Sequence, residues 1–348
     1  MIVFDFSRFT PEEILGSYSS KDLTTRPSWE KELVDFLAVW LHKEPHIQAK
    51  TSGSTGKPKA LSLKKEHMIA SAKMTAAFLS LQAGNTALLN LPLRYIAGKM
   101  MLVRSIVCKF RLIAVAPSAK PLQNVAEQID FGAMVPNQVF QSLDSLSQIK
   151  TLLIGGGPIH ADLTEKLIPL PGNIYHTYGM TETVTHVAVR RLNGKERYNY
   201  FQALPQVEFQ QDHQNCLIIH APKVSDQTLQ THDVVELLDS KRFIWKGRFD
   251  NVILSGGIKI HPEEVEKALA TILDRRFFVA SKSDPVLGEK LILLLEGEKM
   301  DDSALHSLIS QLPLSSYQFP KEIHFVSSFA ETATGKVQRK LTLTKLDL

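Results

Sequence analysis

Nine consecutive residues, Thr51-Ser52-Gly53-Ser54-Thr55-Gly56-Lys57-Pro58-Lys59, gather two glycines, four hydroxyls and two lysines. Glycine lets backbone N–H groups turn toward an anion, hydroxyls donate to phosphate oxygens and ammonium groups offset negative charge, so the run suits a phosphate chain. A Walker loop is excluded by spacing. That pattern needs four residues between its glycines and Ser or Thr after the lysine; here two residues separate Gly53 from Gly56, and Pro58 follows Lys57. A flexible polar loop is the bland alternative. Further groups able to do chemistry follow in order: Gly155-Gly156-Gly157, Tyr178-Gly179-Met180-Thr181-Glu182-Thr183, Thr231-His232-Asp233, Gly247-Arg248-Phe249-Asp250, Ser255-Gly256-Gly257-Ile258-Lys259 and Gly335-Lys336. A glutamate beside a triphosphate is a hard-oxygen ligand suited to Mg²⁺. A flexible ammonium after a glycine can bridge a carboxylate and a phosphate. Taken singly, each of these is ordinary: glycines ending a strand, a solvated turn acid, an exposed lysine near a C-terminus.

Over its nine residues the first loop resembles the phosphate loop of the adenylate-forming superfamily, which includes acyl-CoA synthetases, peptide-synthetase adenylation domains and luciferases. The later segments resemble that family's other motifs, in the same order. The resemblance implies that Thr51, Ser52, Gly53, Ser54, Thr55, Gly56 and Lys57 hold the β- and γ-phosphates of ATP. It implies that Gly155, Gly156 and Gly157 form the adenine pocket, and that Tyr178 and Gly179 open a YGxTE motif in which Thr181 donates to the α-phosphate and Glu182 binds Mg²⁺. Asp233 would accept from the ribose, Arg248 would contact ribose or phosphate, and Asp250 would be a hinge. Gly256 and Gly257 would line the pantetheine tunnel of coenzyme A, with Lys259 near a CoA phosphate, and Lys336 would drive adenylation. Three positions depart from the pattern: His232 replaces glycine, Ile258-Lys259 replaces Glu-Asn, and Ala330 stands where relatives have proline.

The segment Leu91–Met100 resembles the family's acyl-pocket stretch, implying that Arg94, Tyr95, Gly98 and Lys99 face the acid. Two cations there suit a small-molecule acid with a second carboxylate, unless both point to solvent. The implied reaction has two halves: a carboxylate attacks the α-phosphate of ATP, giving an acyl-adenylate and pyrophosphate, and a thiol then takes the acyl group from AMP. The acceptor is CoA or, alternatively, a carrier-protein thiol. Glu182 and Lys336 are both present, which argues against a degenerate nucleotide-binding regulator.

Positioning these residues requires an α/β scaffold. Short apolar runs at Ala87–Leu93, Phe110–Ala116 and Thr151–Gly155 read as strands, with helices at Lys65–Gln82, stopped by Gly84, and at Pro136–Leu146. Alternating β and α elements predict a large N-terminal domain, residues 1–249, of mainly parallel sheets flanked by helices. After about residue 200 short alternating strands predict a small β subdomain. Residues 250–348 predict a mobile α+β C-terminal domain: a helix from His261-Pro262, strands at Phe277–Ala280, Leu291–Leu295 and Glu322–Val326, a helix near Ser303–Leu312 and a polar tail. This is the adenylate-forming fold, shortened at the N-terminus because the phosphate loop begins at residue 51, so one subdomain of longer relatives is expected to be cut down. With 40 basic and 36 acidic residues, the net charge of +4 is too even to imply nucleic acid, though it suits anionic substrates. Two cysteines in unrelated contexts, no signal-like start and no long apolar run predict a cytoplasmic protein without a membrane span, and a homodimer is left open.

Overall fold

A computed structural model describes residues 1–19, 25–50, 60–331 and 337–346. The phosphate-loop segment 51–59 and Lys336 lie outside the described residues. In chain order the first strands and helices are β1 (Ile2–Asp5), α1 (Pro11–Ser19), α2 (Ser28–Leu41), β2 (His46–Lys50), β3 (Ala60–Lys64), α3 (Lys65–Phe78), β4 (Thr86–Leu89), α4 (Ile96–Val107), β5 (Arg111–Ala114), β6 (Ile129–Met134), α5 (Pro136–Gln141), β7 (Ile149–Ile154), α6 (Ala161–Leu167) and β8 (Asn173–Gly179). β5, β4, β6, β7 and β8 pair parallel in that spatial order. Successive side chains of a strand point to opposite faces, and both faces are buried. Ala87, Leu89, Leu112, Ala114 and Leu153 join a core with Leu33, Leu37, Met68, Met101 and Leu102 of α2, α3 and α4. Their neighbours Leu88, Ile113, Leu152 and Ile154 join a second core with Val139, Leu163 and Leu167 of α5 and α6. Double burial is why these strands are apolar runs without alternation.

The strands after residue 180 continue the same sheet. β9 (His186–Arg191), β10 (Phe201–Ala203), β11 (Glu208–Gln211), β12 (Cys216–His220), β13 (Leu229–Asp239) and β14 (Arg242–Arg248) extend the same sheet antiparallel from β8, giving twelve strands in the order β1-β5-β4-β6-β7-β8-β9-β10-β14-β13-β12-β11. The expected small β portion is thus hydrogen-bonded into one mixed sheet. β2 and β3 form a hairpin of their own, joined through residues 51–59.

Beyond Arg248 a second sheet begins: β15 (Ile253–Ser255), β16 (Ile258–Ile260), α7 (Pro262–Leu269), β17 (Phe277–Asp284), β18 (Gly288–Glu296), α8 (Asp302–Ile309), β19 (Glu322–Val326) and α9 (Arg339–Lys345). Alternation again assigns the two faces. Val279, Leu291, Leu293 and Leu295 pack with Val265, Leu269, Leu305 and Ile309 of α7 and α8. Phe278, Ala280, Ile292 and Leu294 pack with Phe329 and with Leu343 of α9. The tail read as polar from sequence therefore ends in a helix that closes this second face.

One helix stop differs from expectation. α3 ends at Phe78, not near Gly84, because Ser80 adopts φ +55°. Its N–H and that of Leu81 bond back to Ala77 and Ala76, the paired bonds of a Schellman cap. Among the described residues no helix is long and apolar enough to cross a membrane.

Candidate active site

Tyr178, near the end of β8, reaches across the antiparallel strands to β13 and β14. Its hydroxyl donates to Asp233 Oδ2 at 2.6 Å, and Trp245 Nε1 donates to Asp233 Oδ1 at 3.3 Å. Arg248 Nη1 lies 3.6 Å from that same oxygen, in register with Asp233 on the paired strands. Burial, then the Asp233 charge and hydrogen bond, push the Tyr178 phenol well above its usual range, so it stays a donor. Asp233 is 7% exposed, yet three donors surround it, which is what a buried carboxylate requires. Arg248 Nη2 also donates to Asp250 Oδ2 at 2.9 Å, and His232 Nδ1 lies 2.8 Å from Asp250 Oδ1. Partial burial opposes ionisation of Asp250, but the bonds from His232 and Arg248 hold its pKa below the usual value. Four residues named from sequence, Tyr178, Asp233, Arg248 and Asp250, are thus one connected cluster.

The Gly155-Gly156-Gly157 turn packs onto β8 beside this cluster. A Cβ on Gly155 would stand 2.5 Å from Thr177 Oγ1, and Gly156 has φ +84°. His176 Nε2 donates to the Gly157 carbonyl at 3.3 Å while Nδ1 accepts from Arg190. Burial, then the Arg190 charge, drive the His176 pKa down to about 3, so the ring is neutral. On the other side of this turn, burial and the charge of Arg276, from the second sheet, disfavour protonated His160.

The segment Gly179–His186 folds back tightly. A Cβ on Gly179 would sit 2.2 Å from the Thr185 carbonyl. Thr183 Oγ1 accepts from the Met180 N–H at 3.0 Å, and Thr185 N–H donates to the Thr183 carbonyl at 2.7 Å across Val184. Val184 has φ +66° and ψ −62°, a strained γ-turn for a β-branched residue. Strain of this kind persists only where surrounding contacts enforce it, and its effect here is to present Glu182 to solvent on a rigid turn. Strand β3 packs against this turn, bringing the base of the β2–β3 hairpin to it. Among the described residues no three His, Cys, Asp or Glu side chains form a metal cage. A lone carboxylate fits Mg²⁺, which keeps waters and takes phosphate oxygens instead of a full protein cage.

On α4, Gly98 meets Pro92, whose carbonyl would lie 2.4 Å from an added Cβ. Arg94 is exposed, with its guanidinium 5.1 Å from the Tyr95 ring. Lys99 Nζ donates to the Gln48 carbonyl of β2 at 2.7 Å, and burial lowers its pKa. These two cations do not converge. Sequence reasoning missed a third: Arg104, two turns along α4, is 3% exposed, and its Nε has no hydrogen-bond partner. Among the described residues no carboxylate pairs with it; the Phe131 ring lies 5.5 Å from its guanidinium, and burial lowers its pKa to about 10. Its charge also reaches buried His186, held between Thr75 and Thr185, whose pKa burial and Arg104 together push down to about 3. The one signal in the sequence is a lone arginine inside the apolar run Met100–Val107.

In the second sheet, Gly256 and Gly257, at φ +57° and +80°, form the two-residue turn between β15 and β16, a geometry that demands positive φ at both. Lys259 is exposed. Glu331 bridges Val337, and Arg339 donates to Glu266 at 2.8 Å and to the Val279 carbonyl at 3.0 Å. The Ala330 N–H donates to Thr342 Oγ1 at 3.0 Å, a bond that proline at this position could not make.

Twelve mixed strands are followed by a smaller α/β portion with its own sheet, and a tyrosine–aspartate–arginine cluster stands beside a glycine turn. A family model described as AMP-binding enzyme matches residues 50–210. The solved structure of an acyl-CoA synthetase (AMP-forming)/AMP-acid ligase II-like protein from Dyadobacter fermentans is 34% identical, covers 99% of this chain and 100% of its own, and superposes with TM-score 0.65. The chain belongs to this family of AMP-forming acyl-CoA synthetases and acid ligases. A 2-succinylbenzoate--CoA ligase from Enterococcus faecalis is 25% identical over 343 residues, 85% of this chain and 68% of that one. The o-succinylbenzoate CoA synthetase (MenE) from Bacillus subtilis, in complex with the acyl-adenylate intermediate OSB-AMP, superposes with TM-score 0.73 at 20% identity, over 84% of this chain and 68% of that one, a likeness of fold.

Proposed function

We propose that this protein is an ATP-dependent acid–CoA ligase whose acid is an aromatic dicarboxylate, o-succinylbenzoate, as in menaquinone synthesis. The observation that carries the choice of acid is Arg104: a buried guanidinium with no acid partner among the described residues. An uncompensated buried cation is costly to a fold, and a ligand carboxylate would offset that cost on binding. Relatives named 2-succinylbenzoate--CoA ligase support the same acid.

Asp233 and Arg248 receive the ribose, the turn at Gly155 the adenine, and residues 51–57 the β- and γ-phosphates. Thr181 donates to the α-phosphate. Glu182 would hold Mg²⁺, which supplies charge neutralisation on the triphosphate. The acid's reacting carboxylate, aligned by Lys336, attacks the α-phosphorus while Arg104 holds the other carboxylate. Positioning and electrostatic stabilisation supply the rate, with no covalent enzyme intermediate. The second body, residues 250–348, then turns about Asp250, and CoA enters past Gly256, Gly257 and Lys259 to take the acyl group and release AMP. ATP and CoA as co-substrates suit a cytoplasmic setting.

The test is release of AMP and pyrophosphate, dependent on CoA, across a panel of acids that includes o-succinylbenzoate and monocarboxylates. Turnover restricted to monocarboxylates would defeat the Arg104 argument while leaving the ligase chemistry. No AMP with any acid would defeat the proposal.

A further inference from the structure

His232 occupies the middle of a Thr-His-Asp segment on β13, on the outward side of the strand. Its ring is largely exposed, and Nδ1 lies 2.8 Å from Asp250 Oδ1. The other carboxylate oxygen of Asp250 receives Arg248 Nη2 at 2.9 Å. Both partners sit on paired strands of the twelve-stranded sheet, β13 and β14. Asp250 belongs to the short turn Phe249–Asn251 that leads into the second sheet. One carboxylate at the crossing point is therefore held at both oxygens by the first body. Arg248 also faces Asp233, so its charge is divided, whereas His232 has no other hydrogen-bond or ion-pair partner among the described residues.

We infer that His232 is a positioning residue for the two-step reaction: it fastens Asp250 to the nucleotide-binding strand and so favours the arrangement in which this contact forms over the other one. This rests on the ligase reading above and on Asp250 as the pivot. Rotation about the Asp250 backbone displaces its side chain relative to one flanking peptide, so a carboxylate held twice resists the turn. A glycine at position 232 would leave Arg248 as the remaining tether. The His232 contact is solvent-exposed, and the expected effect is that of one surface ion pair, about two- to fivefold in the balance between arrangements.

The two half-reactions report on this separately. In His232→Gly, thioester formation from CoA and supplied o-succinylbenzoyl-adenylate and pyrophosphate release with ATP should move in opposite directions, each by about two- to fivefold. His232→Asn places an amide nitrogen where Nδ1 stands and should restore wild-type behaviour. In an Asp250→Ala background, His232→Gly should change neither half-reaction. Equal changes in both half-reactions, no change in either, or an effect that persists without the Asp250 carboxylate would each overturn the assignment. A wild-type protein that makes no adenylate with any acid would instead remove the ligase reading, and this inference with it.

Discussion

In the larger body, Tyr178, Trp245 and Arg248 surround Asp233, and every member has a partner. On α4 of the same body Arg104 is equally buried, yet its charge is unanswered among the described residues. The contrast separates two ways of preparing a site. A preformed network fixes geometry and gains little on binding, since each donor already has an acceptor. An unanswered charge destabilises the empty protein and gains most when its ligand carboxylate arrives. The first arrangement suits a nucleotide common to a whole family, and the second suits discrimination of one acid.

The largest effect should come from neither region. Lys336→Ala is expected to slow adenylate formation by about 10²- to 10³-fold, the scale of losing one preorganised transition-state contact, while thioester formation from supplied acyl-adenylate stays near wild type. Rapid-quench assays of each half-reaction measure this, and equal loss of both would contradict it. Next comes Arg104→Met, which keeps volume and removes charge. KM for the dicarboxylate should rise about 30-fold, roughly 2 kcal/mol, while Tm holds or rises because a buried unpaired cation is gone. A fall in Tm with unchanged KM would make Arg104 a structural residue. Asp233→Asn should act on the other partner: KM for ATP up about tenfold, close to 1.4 kcal/mol, with KM for the acid unchanged. If the acid's KM moves equally, the two regions are not independent.

The smallest effect compares the two sheets by pH. His176 and His186, in the larger body, are pushed down to about 3 from 6.5. A depressed histidine binds fewer protons folded than unfolded, so its stabilisation is present above about pH 6.5 and is lost as pH falls toward 3. Glu266, in the second body, is pushed up by burial to about 7 from 4.5, even beside Arg339. Its contribution is present below about pH 4.5 and is lost as pH rises through 7. Between about pH 5 and about pH 8, amide-exchange protection corrected for intrinsic rates should therefore increase in β6–β7 and decrease in β17–β18. A common sign in both sheets would contradict this.

The elements most legible in the sequence were those with a local cause: Pro262 at the first turn of α7 and the apolar runs of β4, β5 and β7. Others depended on distant partners. Ser80 took the left-handed cap although glycine stood four residues on, because the Schellman bonds close at Ser80 and the Gly84 N–H pairs with Lys109. The strands after about residue 200 read as a small β subdomain because alternation reports one exposed face without saying which sheet they join. α9 looked like a polar tail because its buried face is only Thr342 and Leu343. At the site, the family resemblance named Tyr178, Asp233, Arg248 and Asp250 individually. Their bonding and the His232 contact required the register of β13 on β14. Arg94 and Lys99 were read from the resemblance of Leu91–Met100 to an acyl-pocket stretch, whereas Arg104 is carried inward by helical periodicity and has no motif to mark it.

The central claim is that the acid's own oxygen bonds to the α-phosphorus. Turnover of carboxyl-¹⁸O-labelled o-succinylbenzoate with ATP and CoA tests this directly by mass spectrometry of the products. The account predicts AMP carrying one ¹⁸O and unlabelled pyrophosphate, because attack on the α-phosphorus leaves the acid's oxygen on AMP when the thiol departs with the acyl group. Label in inorganic phosphate alongside ADP, or unlabelled AMP, would contradict it.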